Sequence, residues 1–167
     1  MTRKLLAEVG LALAVAGLAA CGGSSKASAP DQVTQKDAAL YQIDQVERSF
    51  HKAGSTHDVN LMMSLFAPGA VFNLGIETFS GKAQIRNFFA THNAAFQPQN
   101  DWESDTPSYK IRETVTGDKA TLYFECHYVD VKTGKVMSVI GVDHNLQRIN
   151  GKWLIIDASA SAATLST

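Results

Sequence analysis

From Ser108 onward, runs of alternating strand-forming residues are broken by Gly117-Asp118, by Lys132-Thr133-Gly134 and by Asn150-Gly151, and no other feature constrains the fold so tightly. Such a pattern predicts an antiparallel meander. Asn-Gly is the strongest short hairpin signal. A two-residue loop there sets Arg148 opposite Trp153, Leu146 opposite Ile155 and His144 opposite Asp157. A turn at Gly117-Asp118 sets Val115 opposite Ala120, Glu113 opposite Leu122, Ile111 opposite Phe124 and Tyr109 opposite Cys126. A three-residue loop with Gly134 left-handed then opposes Leu122 to His144 and Phe124 to Val142.

The three turns are independent, yet together they gather one set of residues on a single face. That set is Tyr109, Ile111, Val115, Ala120, Leu122, Phe124, Cys126, Ile140, Val142, Leu146, Trp153 and Ile155. A slip of one residue in any strand would turn its side chains to the other side. This is the expected core-facing side, and its polar members, Glu113, His144 and Asp157, fall on one row with Leu122 among them. The opposite face carries Lys110, Arg112, Tyr123, Glu125, His127, Val139, Asp143, Leu154 and Ile156. It is too apolar for a fully solvated surface, which predicts a homodimer through this outer sheet face.

Ahead of the meander the periodicity is helical. Ala39, Ile43, Val46, Phe50 and Ala53 form a stripe that Gly54 ends. Asp58 is placed to cap a second, short helix with Val59, Met62, Leu65 and Phe66 as its apolar cluster and Pro68-Gly69 as its stop. Val71 to Leu74 reads as a strand. Ser80 or Gly81 starts a third helix whose stripe, Ile85, Phe88, Phe89, His92 and Phe96, turns His92 inward. Three helices followed by a meander predict an α+β fold with the helices packed on one face of a curved sheet.

The first thirty residues follow a different logic. Arg3 and Lys4 precede a small-residue apolar run from Val9 to Ala20, which Glu8 closes on its N-terminal side. A bilayer-spanning helix needs about 20 apolar residues, so the run reads as an export signal. Its end, Leu18-Ala19-Ala20-Cys21, resembles the bacterial lipobox, in which the cysteine is acylated and the preceding peptide removed. The GGSSKASAP stretch that follows is a flexible tether by composition. The expected organisation is a lipoprotein signal peptide at 1–20, a tether at 21–31 and one domain at 32–167. That places the domain outside the cytoplasm, held to a bacterial membrane by lipidated Cys21.

Losing residues 1–20 removes Arg3, Lys4 and Glu8 from 15 basic and 16 acidic groups, leaving a net charge near −2. Nucleic-acid binding proteins carry a strongly basic footprint, so nucleic acid is not an expected partner. Cys126 is the one cysteine besides Cys21, so an acylated Cys21 leaves no disulfide within the mature chain.

Four segments, LMMSLFAPGAVF, FSGKAQIRNFF, TGDKATLYFE and LQRINGKWLI, occur in an order and spacing similar to the SnoaL-like branch of the nuclear transport factor 2-like superfamily. The resemblance covers nearly the whole mature domain. It implies a cone-shaped α+β fold enclosing a pocket between the helices and the concave face of the sheet. Some members are isomerases, cyclases or dehydratases, and others only bind or assemble. In the dehydratase-like branch an acid just before the second helix works with a histidine on the strand after the third. Here Ser55 lies nearer the acid's place, Asp58 is a cap, and DWESDTPSYKIRE contains no histidine. That pairing is absent.

The chemistry legible in the residues is a His144-Asp157 dyad. Opposed residues on adjacent strands have β-carbons about 4.5 to 5.5 Å apart, so the carboxylate would orient the imidazole as a base. The alternative is a buried polar pair that satisfies itself. The expected ligand site comprises Phe66, Phe88, His92, Tyr109, Glu113, Phe124, Tyr128 and Val142. Cys126 reads as core and His127 as part of the dimer contact. No H-x-H or H-E-x-x-H spacing is present, so neither metal nor cofactor is implied. The expected function is binding of a small, largely apolar molecule in the cone. The alternatives are an acid-base isomerase or dehydratase using His144 and Asp157, and a non-catalytic assembly module.

Overall fold

The computed structural model describes residues 32–162. The proposed signal peptide, Cys21 and the tether lie outside the described residues. Helix α1, Gln32–Ser55, buries the expected stripe of Ala39, Ile43, Val46, Phe50 and Ala53, and buries Glu47 and His51 with it. Helix α2, Val59–Leu65, starts at Asp58, whose carboxylate accepts the Leu61 N–H at 2.8 Å. Its apolar cluster carries straight on into strand β1, Phe66–Leu74, which begins five residues before the expected Val71. Strand β2, Glu77–Ser80, returns along β1 as a hairpin and leads into helix α3, Gly81–Thr91. Ile85, Phe88 and Phe89 are the buried face of α3. His92 follows as its C-cap and stays exposed instead of turning inward, because the helix has ended one residue earlier.

The remaining strands are β3, Trp102–Asp105, β4, Arg112–Thr116, β5, Lys119–Asp130, β6, Val136–Ile149, and β7, Lys152–Ala162. They form one sheet in the order β2-β1-β7-β6-β5-β3, with β4 also pairing β5. The β4 to β7 part is the expected meander. The sheet as a whole is mixed, because β1 joins β7 in parallel.

The Gly117 turn delivers its register along β4, the register expected from Gly134 holds from Tyr128 inward but shifts by one residue between Tyr128 and Val129 beside the turn, and the Asn150-Gly151 register holds only near its turn. Gly117 and Gly134 both adopt positive φ, at +60° and +67°. Glu113 meets Leu122, Val115 meets Ala120, Leu122 meets His144 and Phe124 meets Val142. At the Asn150-Gly151 corner both residues have positive φ, 51° and 78°, as a tight two-residue hairpin requires. Arg148 accordingly faces Trp153 and Leu146 faces Ile155.

Beyond Leu146 a β-bulge intervenes, so that Asn145 faces Asp157 and His144 faces Ala158. Asp157 therefore turns to the outer face, and the fully buried Ala158 takes the expected place of the carboxylate. The neighbouring strand breaks at the same level. The β1 to β7 register shifts between Phe66 and Val71, the stretch that holds Pro68 and Gly69, and Pro68 has no N–H to give to a ladder. The two irregularities accommodate each other.

A second departure concerns Tyr109. Pro107, at φ −59°, opens a 3-10 turn over Ser108–Lys110, so β4 starts only at Arg112. The far half of β5 is paired instead by β3, with Ser104 opposite Tyr128 and Trp102 opposite Asp130. Tyr109 is consequently 79 % exposed and does not lie opposite Cys126.

Candidate functional site

A cavity of about 350 Å³ lies where α3 stands off the concave face of the sheet. Its walls are aromatic and aliphatic. Phe72 of β1 and Phe88 of α3 meet at 5.5 Å between ring centroids, Phe88 and Phe89 at 5.2 Å, and Trp102 and Tyr128 at 6.1 Å on the opposite side. Val142, Ile140 and Ala160 form the sheet floor. The mouth is beside the end of α3, where exposed His92 and Ala94 line the rim. Ligand pockets are typically about 300 to 1,000 Å³ and mostly apolar, so this one is at the small end of the range.

Two titratable groups reach the deeper wall. Burial pushes the Cys126 thiol up to about 12 and the Tyr128 phenol well above its ordinary value, so both hold their protons. For Tyr128 the neighbouring Cys126 thiol adds to the effect of burial and the Ser104 hydroxyl opposes part of it.

Of the ligand residues expected from sequence, Phe88, His92, Tyr128 and Val142 line this cavity. Phe66 and Phe124 are fully buried packing residues away from its lining, and Tyr109 projects into solvent. Glu113 faces α1, not the cavity. Burial and the nearby Asp44 charge push its carboxyl above the ordinary range, and its Oε2 is enclosed without a hydrogen-bond partner.

The dyad is not formed. His144 is 2 % exposed, stacked on Phe124 at 4.7 Å and 19°, with the edge of Phe50 at 5.6 Å. Its Nδ1 is 3.1 Å from the Leu122 carbonyl, and its Nε2 has no partner. Burial lowers its pKa to about 4, with the Leu122 carbonyl opposing and His51 adding to the shift. Asp157, on the other side of the sheet, accepts from Asn145 at 3.4 Å. A neutral imidazole closed in by hydrocarbon, one sheet thickness from its supposed carboxylate, has no route to act as a base.

A different histidine carries the polar contacts. His51 of α1 is 6 % exposed and uses both ring nitrogens. Nδ1 lies 2.7 Å from Ser104 Oγ, while Nε2 lies 2.5 Å from Thr106 Oγ1 and 3.1 Å from Glu47 Oε1. Ser55, at the end of α1, donates to the His51 carbonyl at 3.0 Å and accepts from the Ser104 N–H at 2.9 Å. Sequence reasoning passed over Glu47, His51, Ser104 and Thr106, although a signal existed. Ile43, Glu47 and His51 are spaced by four along the buried ridge of α1, and Trp102 and Ser104 alternate along one face of β3, with Thr106 continuing the spacing just past its end.

On the outer face Glu125 is buried beneath its neighbours. It accepts from Lys110 Nζ at 3.0 Å and Tyr123 OH at 3.1 Å, and lies 3.0 Å from His127 Nε2. Burial works against its charge, but these three contacts outweigh it and hold the carboxyl below the ordinary value. Gly141 opposes Glu125, and a Cβ there would fall 2.8 Å from the Tyr123 hydroxyl, so any side chain at that point would have to displace the phenol that donates to Glu125.

Three helices on a curved mixed sheet, with an apolar cavity between α3 and the concave face, define the chain as an α+β cone. A model of the SnoaL-like domain family matches residues 46–154, and the chain belongs to that family. Solved structures share the fold at low identity. A protein of unknown function from Mycobacterium tuberculosis superposes with a TM-score of 0.68 at 16% identity, over 84% of this chain and 79% of its own. A nuclear transport factor 2-like protein of unknown function from Pseudomonas putida gives 0.66 at 16% identity, over 78% and 91%. A candidate dehydratase of the same superfamily from Streptomyces avermitilis gives 0.62 at 14% identity, over 77% and 98%. No curated protein matches the chain.

Proposed function

We propose that the domain binds a small, largely apolar molecule in its cone and that acylated Cys21 anchors it to a bacterial membrane outside the cytoplasm. The apolar cavity of about 350 Å³, open beside the end of α3, carries the binding reading. Binding is favoured over acid-base turnover because the cavity's deep titratable groups, Cys126 and Tyr128, retain their protons and His144 is walled off from it. A panel of small aromatic and alicyclic compounds, screened by thermal shift against the protein and against Ala160→Phe, tests it. Compounds that raise the melting temperature of the protein but not of the filled variant are expected. A panel with no stabilising member overturns the reading.

The tether is tested separately by mass spectrometry of membrane fractions, where an unmodified Cys21 counts against it. We further propose that two copies pair through the outer sheet face, since Lys110 pairs with the Glu125 carboxylate there, His127 Nε2 lies 3.0 Å from it, and Leu154 and Ile156 are only partly covered. Sedimentation showing a monomer at micromolar concentration overturns that pairing.

A further inference from the structure

Ser138, Ile140 and Val142 alternate along β6, and all three line the cavity. Ser138 lies directly across from Tyr128 of β5, so the two hydroxyl-bearing residues of the sheet floor are cross-strand neighbours. Ser138 is half-buried, and among the described residues its hydroxyl has no hydrogen-bond partner. A hydroxyl left unpaired in an apolar wall carries a desolvation cost, which a polar atom of a bound molecule removes.

The other polar atoms of the lining also favour donating. Asn93, at the mouth, has its Oδ1 taken by the Ala95 N–H at 3.0 Å, which leaves the hydrogens on Nδ2 to offer. Cys126 and Tyr128 both keep their hydrogens. Charge is absent from the wall. The lining includes no Asp, Glu, Lys or Arg, so a full charge carried inside would lose its water without meeting a countercharge. His92 is at the rim and exposed to solvent.

We propose that the cavity's ligand is an uncharged, largely apolar molecule with one acceptor oxygen of the carbonyl type, and that the Ser138 hydroxyl donates the hydrogen bond that selects it. This inference rests on the cavity being a binding site, and adds the ligand's charge and the residue that recognises its oxygen.

Three probes of one ring system and nearly one size test it. 2-Acetylnaphthalene carries the carbonyl, 2-ethylnaphthalene lacks the oxygen, and 2-naphthoate is ionised at neutral pH. A carbonyl accepts and has no hydrogen to give, so its bond reports Ser138 as a donor. Affinities are measured by calorimetry on the protein and on Ser138→Ala. Loss of one hydrogen bond should weaken 2-acetylnaphthalene about five- to tenfold in the variant, while 2-ethylnaphthalene moves by less than about twofold. A change in packing alone would move both. In the unaltered protein 2-naphthoate should bind at least about a hundredfold more weakly than 2-acetylnaphthalene. An affinity for 2-acetylnaphthalene that survives Ser138→Ala, or falls together with that for 2-ethylnaphthalene, overturns the part given to Ser138. Binding of 2-naphthoate as tight as that of 2-acetylnaphthalene overturns the uncharged class, and either result leaves the cavity reading standing. Binding of none of the three overturns the cavity reading and the inference together.

Discussion

Two histidines pack against one phenylalanine. The His51 ring is 5.1 Å from Phe124 and the His144 ring is 4.7 Å from it, and both side chains are almost fully buried. They differ in what surrounds them. His51 sits at the seam between α1 and β3 among Glu47, Ser104 and Thr106, with both nitrogens engaged. His144 sits at the centre of the sheet among aromatic rings, with one nitrogen unpaired. Burial alone therefore does not make a histidine functional. A polar group removed from water is useful only where partners define which atoms carry hydrogens, and without them it is a packing element with a penalty attached.

The largest expected effect comes from removing what the two histidines share. Phe124→Ala should destabilise the domain by about 3 to 5 kcal/mol in urea titration, the usual loss for a fully buried phenylalanine. Next come the histidines themselves, and here the contrast should be plain. His51→Leu leaves the Glu47 carboxyl buried without its partner and should lose about 3 kcal/mol. His144→Phe removes an unpaired nitrogen from an aromatic site and should change stability by less than about 1.5 kcal/mol. Equal losses at the two sites would erase the distinction.

Acid sharpens it further. His144 has its pKa lowered to about 4 in the folded chain, against an ordinary 6.5. Above pH 6.5 the ring is neutral whether folded or not, so its burial carries no proton-linked penalty. As pH falls from 6.5 toward 4 the unfolded chain takes the proton first, and stability should drop by about 3 kcal/mol. His144→Phe should flatten that part of the pH profile, read as the difference between the two proteins' unfolding free energies at each pH. The smallest effect belongs to Asp157→Asn. On the outer face this change should alter stability by no more than about 0.5 kcal/mol and leave cavity binding untouched. A large effect on binding would reinstate a link between Asp157 and the inner wall.

These outcomes follow from a fold that was largely readable in advance, whereas its site was readable only in part. The helical stripe of α1, the Asp58 cap and the register set by Gly117 depend on neighbours in sequence, through periodicity and through backbone angles that turn residues adopt locally. Phe88 and Val142, inward by the same logic, line the cavity. The error at Asp157 arose where local logic ended. The hairpin register holds for the pairs nearest Asn150-Gly151, then a bulge, matched by the irregular Pro68-Gly69 stretch of β1, turns the next residues over.

Periodicity and turn chemistry thus determined by themselves that this chain would be helices on a curved sheet, and which strand faces would be inward near each turn. Tertiary structure alone decided that β1 would lie parallel to β7, that Ala158 and not Asp157 would face His144, and that His51 would meet Ser104 and Thr106 across 53 and 55 residues of sequence. The division has one physical cause. Hydrophobic period and turn angles are properties of a few consecutive residues, but which polar groups find partners depends on segments brought together only when the core closes.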